Sequence, residues 1–342
     1  MTYELGRKTT VAVAMALVMT ASAASAENFR MIITELEPPL VPNSVQSLAV
    51  DLGYYEAEGV DVELIRVQQT PSALAALQAG DGEMANISVS AVLQLVADGV
   101  DDLRAVVSPN KALPFLIAAN ERITSPEEIA GHRFGVGRVG SLDYSLSSAV
   151  LAEHGVSLDD DVELVGLGQP TVRAQALAAD QIDATTMSIG VWTSMPDHEG
   201  LHILVSQEDY YEAAPVVNLV NVVTSETLEN RSEDLEAVIR AIINISRDFA
   251  EDPNLWVEAM LEAREDVDRE TLEALAEAFV ESWSINGGLS AEELRFTTDW
   301  LYEGEDFQDL RRVELDEWVD FGPVDAALES LGVAEGMDEP TR

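Results

Sequence analysis

Two distant stretches of this chain follow the same succession of structural signals. Residues 71–88 read PSALAALQAGDGEMANIS, and residues 170–188 read PTVRAQALAADQIDATTMS. Each stretch starts with a proline, which the first turn of a helix tolerates, and continues through an Ala/Leu-rich helical pattern and a polar turn into a strand with a polar tip. Any two β-α units share part of this pattern, but the order of the signals predicts two lobes of similar design.

Strand and helix patterns alternate through roughly the first two thirds of the chain. Apolar runs such as FRMIIT, DVELIRV and LRAVVS predict buried strands, and AVLQLVADG predicts one of the helices between them. This alternation indicates an α/β fold with a largely parallel sheet. From Ser232 onward amphipathic helical patterns such as DLEAVIRAIINISRDFAED take over, and these helices are expected to pack back on a lobe. The final residues, GVAEGMDEPTR, are expected to fray.

The first 26 residues have the features of an export signal. Arg7 and Lys8 precede the apolar run VAVAMALVM, and small residues end the segment at Ala24, Ser25 and Ala26. This order of charged, apolar and small residues predicts cleavage after Ala26. The apolar run is shorter than the roughly 18 residues that a membrane span needs, and no later stretch reaches that length. The mature chain is therefore expected outside the inner membrane, in the periplasm if the source is Gram-negative.

Composition excludes several classes of function. The chain has no cysteine, which excludes disulfides, cysteine nucleophiles, thiolate metal ligands and a lipid-anchored cysteine. Its formal net charge of −44 argues against nucleic acid as a partner, because both surfaces would be anionic. The acidic residues are dispersed, and Lys111 is the only lysine after the predicted signal. Such a surface suits a salty environment, since about 1 M salt shortens the screening length to about 3 Å.

Residues 135–140, GVGRVG, match the G-x-G-x-x-G fingerprint of dinucleotide-binding folds. That site requires an acidic residue at the end of the next strand to bind the ribose, whereas DVELVGL is followed by GQP. No nucleotide cofactor is therefore expected. A strand that feeds a glycine-rich turn into a helix still offers free N–H groups and a positive dipole end. With Ser141, Asp143 and Tyr144 in the first turn, this is a suitable place to hold a small polar ligand.

Residues 198–202, HEGLH, match the H-E-x-x-H motif of zinc proteases. The motif binds zinc only when both histidines share one face of a helix. Here a proline precedes the motif, Gly200 interrupts it, and LHILVS predicts a strand directly afterwards. His198 and His202 are therefore expected to be ordinary surface or strand histidines, and no metal is expected. No G-x-S-x-G elbow, P-loop or EF-hand loop is present, so no catalytic residue is assigned.

Several segments carry a family resemblance. LAVDLGYYEAEGVDVELI, residues 48–65, resembles the opening signature of the periplasmic solute-binding proteins for taurine, alkanesulfonates, nitrate and thiamine-pyrimidine precursors. ALQAGDGEMANIS resembles their entry into a strand, and ALAADQIDATTMS resembles the same entry in the second lobe. ITSPEEIAGHRFGVGRVGS resembles their run into a glycine-serine turn, with His132 and Arg133 in place of the usual lysine and its neighbour. The resemblance covers most of residues 28–225.

The resemblance implies a two-lobe class II periplasmic binding protein fold, an α/β fold whose helical C-terminal region packs on lobe one. The implied segments are a signal peptide (1–26), the first part of lobe one (27–112), lobe two (113–215), and the completion of lobe one with the C-terminal helices (216–342). The chain would cross between the lobes near Asn110–Phe115 and Ala214–Asn221. Ligand would lie in the cleft at the carboxyl ends of the strands. The protein would be a monomeric receptor, without catalysis or cofactor, that delivers a small molecule to an ABC transporter permease.

Strand ends that face such a cleft supply the candidate ligand contacts. The candidates are Glu35, Asn43, Gln69, Thr70, Ser88, Lys111, Arg138, Ser141, Asp143, Tyr144, Met187, Trp192 and Asn218. Each of them can instead be a turn residue or a helix cap that never meets ligand. Ser141 is equally suited to an N-cap role, and Trp192 to a core role. Lys111 is either a cation in the cleft or a lone leftover lysine.

The charges among these candidates leave the ligand open. Arg138 and the helix dipole favour an anion such as a sulfonate or a carboxylate, whereas Glu35 and Asp143 favour an amine. A zwitterion such as taurine satisfies both, and a neutral pyrimidine could stack on Trp192 and Tyr144; nitrate is less expected. An enzyme alternative, a pyrimidine-synthase relative, would need a cytosolic location and reactive histidine chemistry, which the export signal opposes. A sensor that feeds a signalling kinase is a further alternative.

Overall fold

The computed structural model describes residues 28–111, 114–139 and 141–342, together with Met1. The predicted export signal, apart from Met1, lies outside the described residues. The strands are β1 (Phe29–Ile33), β2 (Val62–Arg66), β3 (Met84–Ser88), β4 (Leu103–Asn110), β5 (Phe115–Asn120), β6 (Arg133–Val136), β7 (Glu163–Gly166), β8 (Ala184–Ser188), β9 (Leu201–Val205) and β10 (Leu219–Thr224).

The strands are connected and followed by α-helices, and short 3-10 turns occur at Pro42–Ser44, Pro126–Ile129, Val280–Ser282 and Glu305–Phe307. The helices are α1 (Val45–Asp51), α2 (Tyr54–Ala57), α3 (Thr70–Gln78), α4 (Val89–Ala97), α5 (Leu142–Glu153), α6 (Pro170–Ala178), α7 (Ile189–Thr193), α8 (Gln207–Ala213), α9 (Ser225–Asn230), α10 (Ser232–Glu251), α11 (Pro253–Ala263), α12 (Arg269–Ala278), α13 (Ala291–Glu303), α14 (Leu315–Trp318) and α15 (Gly322–Leu331). Within the described part of the chain, no helix has the length and apolar character needed to cross a membrane.

The strands form two five-stranded sheets, each with helices around it. Sheet one has the order β2-β1-β3-β10-β4, and sheet two has the order β7-β6-β8-β5-β9. The chain leaves sheet one after β4, builds all of sheet two and returns with β10, so it crosses between the sheets twice. Each sheet is mixed rather than largely parallel, because β10 runs antiparallel to β3 and β4, and β5 runs antiparallel to β8 and β9. These are the strands that enter each sheet from the other.

The internal repeat predicted from the sequence is present in the structure. The first stretch folds into α3 and β3, and the second folds into α6 and β8, with a proline in the first turn of both helices. Each helix ends near a residue in the left-handed conformation, Gly80 with φ 76° and Asp180 with φ 54°. Aspartate is among the few non-glycine residues that adopt this conformation readily, so the two turns match despite their different sequences.

The helical C-terminal region packs on lobe one, as predicted. The long amphipathic helix α10 buries one face, including Leu235, Ile242 and Phe249, and contacts α1, α2 and α15. Helices α14 and α15 pack against β4. The region also reaches lobe two. Helix α12 contacts α7, and Phe296 and Trp300 of α13 pack against the hydrophobic core between sheet two and α5.

The prediction that residues 332–342 fray is wrong. Asp338 is 1% exposed, and its Oδ2 accepts hydrogen bonds from the backbone N–H groups of Asn286, at 2.6 Å, and Gly288, at 3.1 Å. Asn286 in turn donates its side-chain amide to the Asp338 carbonyl oxygen at 2.7 Å. The tail is ordered because it satisfies buried donors in the loop that precedes α13.

Candidate ligand-binding site

The two crossings between the sheets meet each sheet at one and the same edge. In sheet one, β3 ends at Ser88 and β4 ends at Asn110, and both residues pair with Leu219 at the start of β10. In sheet two, β8 ends at Ser188, which pairs with Phe115 at the start of β5. Both crossings therefore join the edges at which the parallel strands of each sheet end. In α/β folds this carboxyl edge is where ligands bind.

Two equivalent serines lie where the crossings meet the two sheets. Ser88 caps α4 and Ser188 caps α7, each with its Oγ 3.3 Å from a backbone N–H in the first helical turn. The first N–H of α4 donates to the Asn218 carbonyl oxygen at 3.1 Å, and the first N–H of α7 donates to the Pro114 carbonyl oxygen at 2.8 Å. The structure thus brings the candidates Ser88 and Asn218 together.

Four buried side-chain amides form a closed ring beneath the edge of lobe one. Asn43 donates to Asn86 at 3.3 Å, and Asn86 donates to Asn221 at 2.7 Å. Asn221 donates to Gln46 at 2.9 Å, and Gln46 donates back to Asn43 at 2.9 Å. All four residues are at most 3% exposed. Asn43 Nδ2 also donates to Glu35 Oε2 at 3.1 Å, so this amide ring fixes Asn43 and, through it, Glu35.

Glu35 is the acidic group of this edge, in the loop after β1. It is half-buried, and its carboxylate accepts hydrogen bonds from Asn43 and, at 2.9 Å, from Ser47 Oγ. Burial raises the pKa of Glu35 from its ordinary value of 4.5 to about 7, because desolvation outweighs these two hydrogen bonds and the nearby charge of Arg66. Near neutral pH the side chain is therefore available both as a hydrogen-bond donor and as a charged acceptor.

This raised pKa predicts a pH-dependent contribution to stability. Glu35 stabilises the fold fully below about pH 4.5, and this contribution is lost as the pH rises to about 7, because the unfolded chain ionises first. At about 1.4 kcal/mol per pKa unit, the change is at most about 3 kcal/mol. We expect Glu35→Gln to flatten the unfolding free energy across this window, measured by chemical denaturation at several pH values. Glu37→Gln, whose side chain is 69% exposed, is the control; equal pH profiles for both variants would contradict the prediction.

The Asp143 carboxylate accepts hydrogen bonds from the glycine-rich turn of lobe two. The backbone N–H of Gly137 donates to Asp143 Oδ2 at 2.8 Å, and Ser141 Oγ donates to Asp143 Oδ1 at 2.7 Å. The backbone N–H of Arg138 donates to Ser141 Oγ at 3.3 Å. The expectation that this turn offers free N–H groups is therefore wrong for Gly137 and Arg138. The Arg138 side chain is exposed to solvent.

A buried arginine that the sequence does not single out lies beneath this turn. Arg173 of α6 is 3% exposed, and its Nη2 lies 3.4 Å from Asp143 Oδ2. Its guanidinium also donates to the carbonyl oxygens of Gly168, at 2.6 Å, and Thr186, at 3.0 Å, and to Thr185 Oγ1 at 3.2 Å. Burial lowers the pKa of Arg173, and the charge of Asp143 opposes that shift. The available signal was a lone arginine in the Ala/Leu pattern of TVRAQALA.

Lys111 lies in a buried ion cluster. Its side chain is fully buried, and Nζ donates to the Met337 carbonyl oxygen at 2.7 Å. Nζ also lies 3.3 Å from Glu293 Oε1, 3.7 Å from Asp338 Oδ1, and 5.0 Å from the centre of the Tyr211 ring. This Lys111 cluster joins the first crossing to α13 and the C-terminal tail. The structure therefore pairs the candidate cation with protein carboxylates.

The remaining candidates belong neither to the amide ring nor to the Asp143–Arg173 pair. The Tyr144 hydroxyl donates to Asp159, in the turn before β7, at 2.5 Å. Met187 is 1% exposed and belongs to the hydrophobic core. Gln69 and Thr70 lie at the start of α3, the first exposed and the second half-buried.

The HEGLH residues do not lie on a helix. His202 lies in β9, and His198 lies in the preceding loop, as the sequence predicted. His198 stacks on Trp192 with ring centres 4.2 Å apart, and its Nε2 lies 2.8 Å from the Trp192 carbonyl oxygen. Among residues 28–111, 114–139 and 141–342, no group of three or more His, Cys, Asp or Glu side chains is arranged to hold a metal ion.

Comparison with known families identifies the family to which this chain belongs. The sequence model of the family described as NMT1/THI5 like matches residues 46–254, more than half of the chain. The chain belongs to the NMT1/THI5-like family. The matched part of this NMT1/THI5-like protein contains both crossings, the Asp143–Arg173 pair and three members of the amide ring, with Asn43 just outside it. No curated protein matches the chain in sequence.

Solved structures show that this NMT1/THI5-like chain has a periplasmic binding protein fold. It is similar to the putative periplasmic sulfonate-binding protein SsuA of Methylobacillus flagellatus, with 15% identity, 89% of this chain and 94% of that chain covered, and a TM-score of 0.67. It is also similar to the aliphatic sulphonate binding protein SsuA of Escherichia coli, with 14% identity, 86% of this chain and 98% of that chain covered, and a TM-score of 0.61. A third similar structure is a cysteine-to-serine mutant of the desulfurization enzyme DszB, bound to biphenyl-2-sulfinic acid. Its identity is 17%, the match covers 89% of this chain and 100% of that chain, and the TM-score is 0.60.

Proposed function

We propose that this protein is an extracytoplasmic solute receptor that binds a small polar organic molecule between its lobes and delivers it to an ABC importer. The observation that carries the proposal is the placement of polar groups on both cleft edges, with Glu35 and the amide ring on one side and the turn of Asp143 on the other. Two short crossings join these edges, a connection that suits hinge closure around a ligand. The proposed lobe bounds are those predicted from the sequence.

The proposed partners and location follow from the same reading. Two of the structural relatives are periplasmic sulfonate-binding proteins, one of them assigned to an ABC transporter. The sequence pattern of residues 1–26 supports export and cleavage after Ala26. We propose a monomer that docks on a transporter permease when its lobes close.

A sulfonate, a carboxylate or a zwitterion such as taurine is the first class of ligand to test. The sulfonate-binding relatives support an acidic group, and Glu35 supports an amine at the other end of the molecule. A pyrimidine precursor of thiamine is the alternative. Glu35 and the amide of Asn43 together present both acceptors and donors, which suits the edge of an aminopyrimidine.

We propose binding without catalysis. DszB demonstrates that this fold supports an enzyme, and the compared DszB structure carries a cysteine-to-serine mutation. This chain has no cysteine, so it cannot use a thiolate nucleophile. A pyrimidine-synthase-like reaction through reactive histidines finds little support in His198 and His202, since one stacks on Trp192 and the other lies in β9.

A thermal-shift screen of the mature chain, residues 27–342, in high salt tests the proposal. The panel contains taurine, alkanesulfonates, aromatic carboxylates, nitrate, aminopyrimidines, simple amines, NAD and zinc. A ligand at about 100 times its Kd adds about 2.7 kcal/mol of stability, enough to raise Tm visibly. We expect at least one small organic solute to raise Tm in the wild type. A shift with NAD or zinc only would overturn the receptor function.

A further inference from the structure

We propose that Asp143 sets ligand specificity by occupying the position on lobe two that an anionic ligand group would take. The receptor would then accept a ligand that presents an uncharged or cationic nitrogen group, such as an amine, amidine or amino-heterocycle, to that edge. This inference rests on the proposed function and narrows its ligand class to nitrogen-bearing solutes, against the sulfonates and carboxylates that the structural relatives suggest.

The donors that would bind an anion converge on the Asp143 carboxylate. A glycine-rich turn that leads into a helix attracts negative charge through its N–H groups and the helix dipole. In this protein the N–H of Gly137, the hydroxyl of Ser141 and the guanidinium of Arg173 lie 2.8, 2.7 and 3.4 Å from the oxygens of Asp143. The Asp143 carboxylate thus provides the negative charge that these donors would otherwise bind in a ligand.

The space at the turn is also shaped around Asp143. A Cβ atom at Gly137 would lie 2.9 Å from Asp143 Oδ1 and 3.3 Å from Ser141 Oγ, closer than ordinary contact. A side chain at position 137 would therefore push the Asp143 carboxylate away from its present position. A sulfonate or carboxylate at this position would have to displace a fitted side chain.

Charge balance opposes a second anion at the same place. The charge of buried Arg173 is already matched by Asp143, whose side chain is only 15% exposed. The remaining donors of Arg173 are directed to Gly168, Thr185 and Thr186, so the guanidinium is not free to turn toward a ligand. An anionic ligand group would lose hydration and meet the Asp143 carboxylate, a combination that is costly at a partly buried site.

Lobe one does not reverse this preference. The amide ring at its edge is neutral, its acidic group there is Glu35, and the buried cation Lys111 is already paired with Glu293 and Asp338. The cations near the cleft edges, Arg66 and Arg138, are exposed, and Arg66 donates to Ser47 Oγ at 3.2 Å. Neither edge, in the described residues, therefore offers a buried cation that lacks an anion.

Small anions should bind where the side chain of Asp143 is removed. In Asp143→Ala the N–H of Gly137 loses its acceptor and the guanidinium of Arg173 loses its counter-ion, while the Ser141 hydroxyl keeps the Arg138 carbonyl oxygen as an acceptor at 2.6 Å. Acetate and methanesulfonate should therefore raise the Tm of this variant in a concentration-dependent way at constant ionic strength. We expect titration calorimetry to show methanesulfonate binding to Asp143→Ala at least about ten-fold more tightly than to the wild type. Asp159→Ala, which removes another carboxylate of lobe two, is the matched control and should show no such rescue.

Asp143→Ser keeps the test decisive if Asp143→Ala does not fold, because serine removes the charge and most of the volume of the carboxylate while leaving a short polar group at the start of α5. Improved methanesulfonate binding by either variant supports the proposal. It is overturned if the wild type binds methanesulfonate or taurine and the variants bind it equally or less well. That result would overturn the role of Asp143 but not the receptor function. The receptor function would be overturned instead if no solute raised the Tm of the wild type. In that case anion binding by the variants would still test the role of Asp143.

Discussion

Lys111→Met is expected to lower the free energy of unfolding by about 3–5 kcal/mol, the usual loss when one member of a buried ion pair is removed. The Lys111 side chain is fully buried, and its ammonium serves Glu293, Asp338 and the carbonyl oxygen of Met337. Methionine fills a similar volume but leaves two carboxylates close together without a cation. Most of the loss comes from this uncompensated charge rather than from packing.

The effect of pH on this variant provides an internal check. Burial and the charge of Asp338 raise the pKa of Glu293, and Lys111 opposes this shift. Without Lys111 the pKa of Glu293 rises further, so the carboxyl takes up a proton at a higher pH. The stability difference between Lys111→Met and the wild type should therefore shrink as the pH is lowered.

Chemical denaturation in high salt measures both effects. Arg269→Met is the control, because Arg269 is 49% exposed and pairs with the exposed Glu258 at 2.8 Å. Loss of an exposed pair costs about 0–1 kcal/mol. A loss no larger for Lys111→Met than for Arg269→Met would show that the Lys111 cluster does not stabilise the fold.

The position of the Lys111 cluster connects stability to the cleft. Glu293 of α13 contacts Lys111 beside the first crossing, and Thr297 Oγ1 of the same helix accepts a hydrogen bond from the backbone N–H of Val217, in the second crossing, at 2.9 Å. One helix of the C-terminal region thus holds both segments between the lobes. A change in this helix should therefore influence lobe closure as well as unfolding.

The architecture could be predicted from the sequence because it rests on local patterns. Proline, helical periodicity and a polar turn recur in both lobes, and these signals are contained within about 20 residues. The order of the strands in each sheet was not available from such signals, because β10 and β5 enter from the opposite lobe. The order of the C-terminal tail could not be predicted from local signals either, because the hydrogen-bond partners of Asp338 lie about 50 residues earlier in the chain.

The candidate site was predicted only in part for a related reason. Glu35 and Asn43 follow a strand and were found by position, but Asn86 and Asn221 lie within strands that read as apolar cores. The four members of the ring lie in four different elements, the 3-10 turn Pro42–Ser44, α1, β3 and β10, so no spacing along the chain reveals the ring. Composition singled out Lys111 correctly as unusual, yet its carboxylate partners are 182 and 227 residues away in sequence.

Asn221→Leu is expected to cost about 2–6 kcal/mol of unfolding free energy. The substitution keeps much of the side-chain volume but removes the donor to Gln46 and the acceptor for Asn86. Each of these two groups is then buried without its partner in the ring, at a cost of about 1–3 kcal/mol apiece. Asn230→Leu, at an exposed position, is the matched control and should change stability by no more than about 0.5 kcal/mol.

The same variant separates a structural ring from a functional one. If the ring positions Asn43 and Glu35 for recognition, then Asn221→Leu, where still folded, should bind the solute found in the wild-type screen on the order of ten-fold more weakly, because misplaced polar groups lose hydrogen bonds to ligand. Calorimetric titration of folded protein at low temperature measures this affinity. A loss of stability with unchanged affinity would mean that the ring supports only the fold, and that recognition by lobe one depends on Ser88, Asn218 and the backbone at the strand ends instead.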